Sequence, residues 1–470
     1  MGGYFAVASK QDCVAELFYG TDYHSHLGTR RGGMVVWNPA DGFQRDIHDI
    51  TNAPFRTKFE DNIGRYRGTL GLGVISDYEN QPMLMRSHHG SYAIATVGRI
   101  DNLEALAREV LQKAGTHFGQ FTGVEVNPTE LVGALINQEA TLLTGIRAAQ
   151  ERIKGSCSML LLTAKGIYAA RDRLGRTPLI LGKKNGAQAA TFETCAFPNL
   201  GFEIDHSLGP AEIVHFTAEG REQLRAPEDR MQICTFLWIY YGFPASSYEG
   251  VNIEAARNRC GAALARGDDV EVDLVAGIPD SGVGHAIGYA TTRGILYRRP
   301  FAKYTPTWPR SFMPQEQRVR DLVAKMKLIP IREIIQGQRV LFCEDSIVRG
   351  TQLQDVIRRV FDAGATEVHM RPACPPLVYG CKYLNFSRSK SELDLAARKA
   401  IQALEGDPPK RLDEYTNPTK DRYHRMVDSI RARLGLTTLK YLALGDMIEA
   451  IGLPQNKLCT YCWTGQSLQE

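Results

Sequence analysis

One stretch limits the folds open to this chain more than any other: RVLFCEDSIVRGTQLQDVIRRVFDAGA, residues 339–365. Val340 to Cys343 form a short, uninterrupted apolar run, the pattern of a strand buried on both faces of a parallel sheet. Glu344 and Asp345 close it, so the two acids sit at the carboxyl end of the strand. After the loop Ser346-Ile347-Val348-Arg349-Gly350-Thr351, the residues Leu353, Val356, Ile357, Val360 and Phe361 recur at helical spacing, and Gly364 supplies a stop. Strand, acidic pair, loop and amphipathic helix in this order make the repeating unit of an open α/β fold, whose ligands bind beyond the carboxyl ends of the strands. Hydroxyls from Ser346 and Thr351 and free N–H groups at the helix start suit a phosphate monoester, and two neighbouring carboxylates can accept hydrogen bonds from a cis diol. A generic strand-to-helix turn with a solvated acidic pair has the same form, and physics alone does not choose between them. GIPDSG at 277–282 has the glycine spacing of a Walker loop but continues Val283-Gly284 in place of Lys-Ser/Thr, which excludes that reading.

The length, 470 residues, points to two to four domains, and 43% hydrophobic with 23% charged residues is ordinary for a globular chain able to bury sizeable cores. Fifty-six Lys and Arg against 52 Asp and Glu leave a net charge of +4, with no basic run interleaved with aromatics, so nucleic acid is not an expected partner; small molecules are. Lys10, Asp12 and Glu16 interrupt what would have to be a signal's apolar region, and no apolar run approaches the ~18 residues that span a bilayer. A cytoplasmic protein with no membrane partner is expected. Ala6 stands where a myristoylation motif needs Ser or Thr. The ten cysteines read as buried, metal-bound or catalytic thiols and not as a disulfide framework. Cys459-Thr460-Tyr461-Cys462 is a CxxC that fits a zinc half-site, a redox pair or an accident of composition, and spacing alone does not name its partners.

EDSIVRGTQ is similar to the DDSIVRGTT signature of the amidophosphoribosyltransferases, which make phosphoribosylamine from phosphoribosyl pyrophosphate at the entry to purine synthesis. The resemblance extends over nearly the whole chain, through CTFLWIYYGFPASSYEGVNIEAARNRCG, GIPDSGVGHAIGYA and FMPQEQRVRDLVAKMKLIPIREII upstream, and LKYLALGDMIEAIGLP and CTYCWTG downstream. It implies that Asp280, Ser281 and Gly282 form a pyrophosphate loop, that Glu344 and Asp345 hold the ribose hydroxyls, and that Ser346, Ile347, Val348, Arg349, Gly350 and Thr351 hold the 5′-phosphate. Mg²⁺ would lie near Ser281, Glu344 and Asp345. Glu344 replaces the family's Asp, one methylene longer. The segment from Lys303 to Lys327 resembles the family's lid, although KYTPTWPRSFMP departs from it and is one residue shorter. Cys234 and Cys381 stand with Cys459 and Cys462 where iron–sulfur members carry theirs, which implies a [4Fe–4S] cluster, with Zn²⁺ on the same sulfurs as the alternative. Cys13, Cys157, Cys195, Cys260, Cys343 and Cys374 read as buried or incidental thiols.

The same resemblance exposes a defect at the front. The family's mature chain begins Cys-Gly and uses that cysteine to hydrolyse glutamine; here the pair is Gly2-Gly3. Ser76 stands in place of the arginine that grips the glutamine carboxylate, Val97 in place of the oxyanion asparagine, and Pro128 in place of the acid that holds the substrate amine. LFYGTDYHSHLGTRRGGMVV, RDRLGRTPLILG, FETCAF and LGPAEIV keep the framework, so the fold is expected without its chemistry. Cys13 lies inside the chain, where no terminal amine can act as its base. His88 and His89 read as an exposed loop or a satisfied core pair.

The expected fold is mixed α/β and α+β: an αββα sandwich of the N-terminal-nucleophile type over 1–230, a type I phosphoribosyltransferase α/β domain over 235–400, and a helical extension over 401–470 carrying the last cluster cysteines. The expected function is phosphoribosyl transfer to ammonia, free or supplied by a separate glutaminase, in a homo-oligomer without glutaminase activity of its own. Two alternatives stay open: transfer to another amine or a base, and a non-catalytic regulator that binds phosphoribosyl pyrophosphate or nucleotide.

Overall fold

The computed structural model describes residues 2–113, 117–122, 125–304, 328–384, 392–406 and 411–466. Two antiparallel sheets lie face to face in the front half. The first runs in the order Glu203–Ser207, Ile180–Lys184, Ala187–Thr191, Gly3–Ser9, Leu70–Ser76, Arg31–Asn38, Gly42–Asp49. The second runs Gly220–Arg225, Ile213–Thr217, Gly166–Ala170, Gly155–Thr163, Gly90–Ile100, Met83–Ser87. Central strands such as YFAVA and MLLL are apolar at every position because both of their faces are covered. The two-residue period still sorts them: Ala93, Ala95 and Val97 pack in the core shared with the first sheet, whereas Tyr92 and Ile94 pack with Leu106, Leu131, Leu135 and Ile146 of the covering helices. The helix Val14–Asp22 packs on the strands Gly3–Ser9 and Leu70–Ser76, which completes the expected order of helix, sheet, sheet, helix.

The back half is built on a parallel sheet in the order Leu274–Gly277, Arg339–Glu344, Glu367–Pro372, Thr438–Leu439. The expected strand at 340–343 is central in it and fully buried. Leu341 and Cys343 face the helices Ile253–Ala265 and Gly282–Arg293. Val340 and Phe342 face Thr351–Asp362, Ala396–Glu405 and Asp421–Leu434. The amphipathic helix read from the sequence is Thr351–Asp362, with Ile357 and Val360 buried and Leu353, Val356 and Phe361 packed on the same core. Phe236, Leu237 and Trp238 join the front core to the near face of the parallel sheet, so one apolar core runs through both halves. An ion pair between Asp268 and Arg371, 2.5 Å apart and nearly inaccessible, crosses from the helix side to the strand Glu367–Pro372 and also accepts the Tyr289 hydroxyl at 2.8 Å. No described helix is long and apolar enough to cross a membrane.

Candidate active site

The two acids read from the sequence lie at the strand end as expected. Asp345 is buried and accepts hydrogen bonds from Ser281 Oγ and Ser346 Oγ, each at 2.5 Å. Glu344 Oε1 accepts the Asp345 N–H at 3.0 Å, and burial together with the neighbouring Asp345 charge pushes the Glu344 carboxyl well above the usual carboxylate range. The second loop meets the first here. Ile278 donates its N–H to Cys343 O at 3.0 Å, and Gly282 comes so close to that strand that an added Cβ would stand 2.4 Å from Cys343 O. Only a residue without a side chain lets the Asp280–Gly282 loop close onto the strand end. Asp280 pairs with Lys303 at the edge of the lid stretch, whose residues 305–327 lie outside the described residues. Ile347 is buried beneath the loop, Arg349 and Thr351 are exposed at the helix start, and Val348 O accepts the Ala396 N–H at 2.7 Å, tying the C-terminal helices to the anion loop. Two carboxyl groups, two hydroxyls and a helix N-terminus therefore converge: oxygen donors of the kind Mg²⁺ prefers, beside a helix start whose free N–H groups suit an anion.

The four cysteines singled out also gather. Ile233–Cys234 and Leu458–Cys459 pair as a short parallel ladder that sets Cys234 opposite Cys459. Cys462 O accepts the N–H groups of Val378 and Tyr379 at 3.1 Å each, which draws the Cys381 segment in, and Phe236 stacks on Trp463 with ring centroids 4.8 Å apart. Cys234 and Cys462 are buried; Cys381 and Cys459 are partly exposed. A hydrogen bond from Cys462 pulls the Cys381 thiol down to about 6, while the same contact and burial push Cys462 up. Among the described residues, no group of three or more His, Cys, Asp or Glu side chains is arranged to hold a single metal ion as it stands. The other six cysteines are buried and make no disulfide.

The four front positions singled out in the sequence sit around one segment, 75–83. Gly2 lies against it so closely that an added Cβ would be 2.4 Å from Ile75 O and 3.4 Å from Ser76 Cα. Ser76 Oγ donates to Glu79 Oε2 at 2.8 Å, and burial pushes the Glu79 carboxyl up. Thr96, next to Val97, exchanges two hydrogen bonds with the Gln81 side chain. Asn127, next to Pro128, donates to Asn80 O at 3.1 Å and caps the helix that Pro128 opens. His88 and His89 lie at the turn before Gly90, with His88 Nε2 2.9 Å from Glu139 O. Sequence reasoning passed over Glu79 and Gln81 and named Lys303 only as the start of the lid stretch, because nothing local marks a polar residue whose partner is brought in by folding.

Residues 70–195 match a family model described as a glutamine amidotransferase domain. The chain is 29% identical over 473 residues to the amidophosphoribosyltransferase of Methanothermobacter thermautotrophicus, covering 98% of this chain and 93% of the relative. It is 28% identical over 480 residues to that of Bacillus subtilis, covering 99% and 93%. Its fold superposes with a TM-score of 0.85 on the solved glutamine phosphoribosylpyrophosphate amidotransferase from B. subtilis complexed with ADP and GMP, at 27% identity and covering 99% of this chain and 96% of the other. In sequence and in fold, along its whole length, the chain is similar to the amidophosphoribosyltransferases.

Proposed function

We propose that the chain transfers the phosphoribosyl group of phosphoribosyl pyrophosphate to ammonia, giving phosphoribosylamine for purine synthesis in the cytoplasm. The observation that carries the reading is the junction at the strand end, where Ser281 Oγ and Ser346 Oγ both donate to Asp345 at 2.5 Å and so lock the two loops into one site. In this reading Glu344 and Asp345 accept the ribose hydroxyls, the loop Ser346–Thr351 takes the 5′-phosphate, and Asp280–Gly282 faces the pyrophosphate. The ammonia lone pair forms the C1–N bond as the C1–O bond breaks, the electron pair leaves with pyrophosphate, and the new ammonium sheds one proton to solvent. Placed charges suffice for this, because the transition state is a cation at C1 with a departing anion. Ser281, Glu344 and Asp345 would hold Mg²⁺, which when bound neutralises the leaving group.

The same reading makes the front sandwich, 1–230, a domain that no longer hydrolyses glutamine. A cysteine at position 2 would have to displace Ile75, Ser76 is engaged with Glu79, and Val97 offers no oxyanion donor, whose loss alone is typically worth ~10²–10³ in rate. Ammonia then arrives free or from a separate glutaminase, and the working particle is a homo-oligomer. Residues 235–400 form the transferase domain and 401–470 the extension. Cys234, Cys381, Cys459 and Cys462 are near enough to act on one another electrostatically, and four thiolates suit a [4Fe–4S] cluster, with Zn²⁺ on the same sulfurs as the alternative. A cluster held by these four residues would tie the tail to the transferase edge.

The test is pyrophosphate release with Mg²⁺ and ammonium, glutamine or other amines side by side. Ammonium at high pH should support turnover and glutamine should give no glutamate. Glutamate release as fast as transfer overturns the front-half reading. Binding of phosphoribosyl pyrophosphate without turnover on any amine favours a regulator.

A further inference from the structure

A buried charged side chain of the front half reaches the four-cysteine centre. Arg176 is wholly buried, at 0% exposure, in the turn RDRLGRT. Asp172 fixes that turn: its carboxylate accepts the N–H of Arg176 at 2.9 Å and the N–H and hydroxyl of Thr177 at 3.0 and 2.9 Å. Arg176 then meets the centre at three points. Its carbonyl oxygen accepts the Cys234 N–H at 3.1 Å. Its Nη1 donates to Cys459 Sγ at 3.2 Å. Its guanidinium lies over the Tyr383 ring, 3.5 Å from the centroid, two residues past Cys381, and Tyr383 packs edge-on against Tyr461 inside the CxxC. One residue thus touches all three chain segments that carry the cysteines.

A guanidinium is always charged, and in a buried site its field is weakly screened. Hydrogen bonds to ligand sulfurs and the local net charge are what set the potential of an iron–sulfur cluster. A planar cation stacked on one segment and bonded to another also fixes their spacing, which a flexible ammonium does less well. We propose that Arg176 is a positioning residue for a cluster on Cys234, Cys381, Cys459 and Cys462: it docks the centre onto the front sandwich, raises its reduction potential and slows its oxidative loss. This rests on the cluster reading above.

The test compares full-length wild type, Arg176→Gln and Arg176→Lys, purified without oxygen, by iron and sulfide content, dye-mediated redox titration and the rate of bleaching in air. Arg99→Gln, which removes an exposed charge and its hydrogen bond to Cys381 O, is the comparison. Arg176→Gln should lower the reduced-to-oxidised ratio about tenfold at the wild-type midpoint, 59 mV for a one-electron step, and bleach about tenfold faster. Arg176→Lys should fall between, and Arg99→Gln, whose charge is exposed and screened, should shift the midpoint less than Arg176→Gln. Wild-type iron content, midpoint and bleaching rate in Arg176→Gln would overturn the proposal. If that variant does not fold, wild-type behaviour of Arg176→Lys overturns it instead. Absence of iron from wild type removes the cluster reading itself, whatever Arg176 does.

Discussion

Helix propensity and packing make opposite forecasts for Gly282→Ala. Gly282 opens the helix Gly282–Arg293, and Ala is favoured over Gly inside a helix by roughly 0.8–1.0 kcal/mol. The new Cβ, however, would stand 2.4 Å from Cys343 O, 3.2 Å from Cys343 C and 3.3 Å from Glu344 Cα, where ordinary contact begins at 3.4 Å. The shortfall is 1.0 Å against strand backbone, which cannot rotate away as a side chain end would. Relief requires the Asp280–Gly282 loop to move off the strand by about that much, which strains the 2.5 Å hydrogen bond from Ser281 to Asp345. Overpacking of this kind costs about 1–3 kcal/mol, more than the helix gains. A displacement of about 1 Å in a positioned site costs about 10²-fold in rate, roughly 2.7 kcal/mol. Measured as pyrophosphate release with Mg²⁺ and saturating ammonium, kcat/KM should fall about 100-fold, and Tm should fall as well. A variant that is more stable than wild type and keeps kcat/KM within threefold would refute the reasoning, because the two loops would then not act as one rigid site.

Asp345→Ala should weaken phosphoribosyl pyrophosphate by about 1.5–3 kcal/mol through loss of a charged acceptor, read by calorimetry with Mg²⁺; unchanged affinity would put the sugar elsewhere. Gly2→Cys should restore no glutamate release from glutamine, since Ser76 and Val97 remain and groups that act as a unit are strongly non-additive; a coupled glutamate assay showing turnover at the transfer rate would be contrary. Burial opposes ionisation of Asp268, but the hydrogen bonds and charge of Arg371, with the Tyr289 hydroxyl, outweigh it and hold the carboxyl below its ordinary value of 3.8. A depressed carboxylate contributes stability above its unfolded value and loses it as pH falls through the folded one, so Asp268→Asn should cost about 3–5 kcal/mol near neutrality and progressively less below pH 3.8. Denaturation curves that keep the same gap from pH 7 to pH 3 would show that the pair does not titrate with folding.

The strand at 340–343, its acidic end and the helix Thr351–Asp362 were legible in the sequence because each rests on neighbours: an unbroken apolar run, a 3.6-residue period, a glycine stop. The CxxC was visible for the same reason, and resemblance to a family supplied Cys234 and Cys381. That Cys234 lies opposite Cys459 was decided by a two-residue ladder, which exists only because the tail folds back across the chain. Lys303 against Asp280, Asp268 against Arg371 and Arg176 against Cys459 are likewise pairings across 23, 103 and 283 residues that carry no local mark. Gly2 reads in the sequence as a lost nucleophile; that no side chain fits there follows only from where Ile75 O lies. Period and composition act between residues a few positions apart, so the chain writes its elements down locally. Burial, charge compensation and close approach depend on which distant groups exclude water from one another, and that is decided when the elements pack.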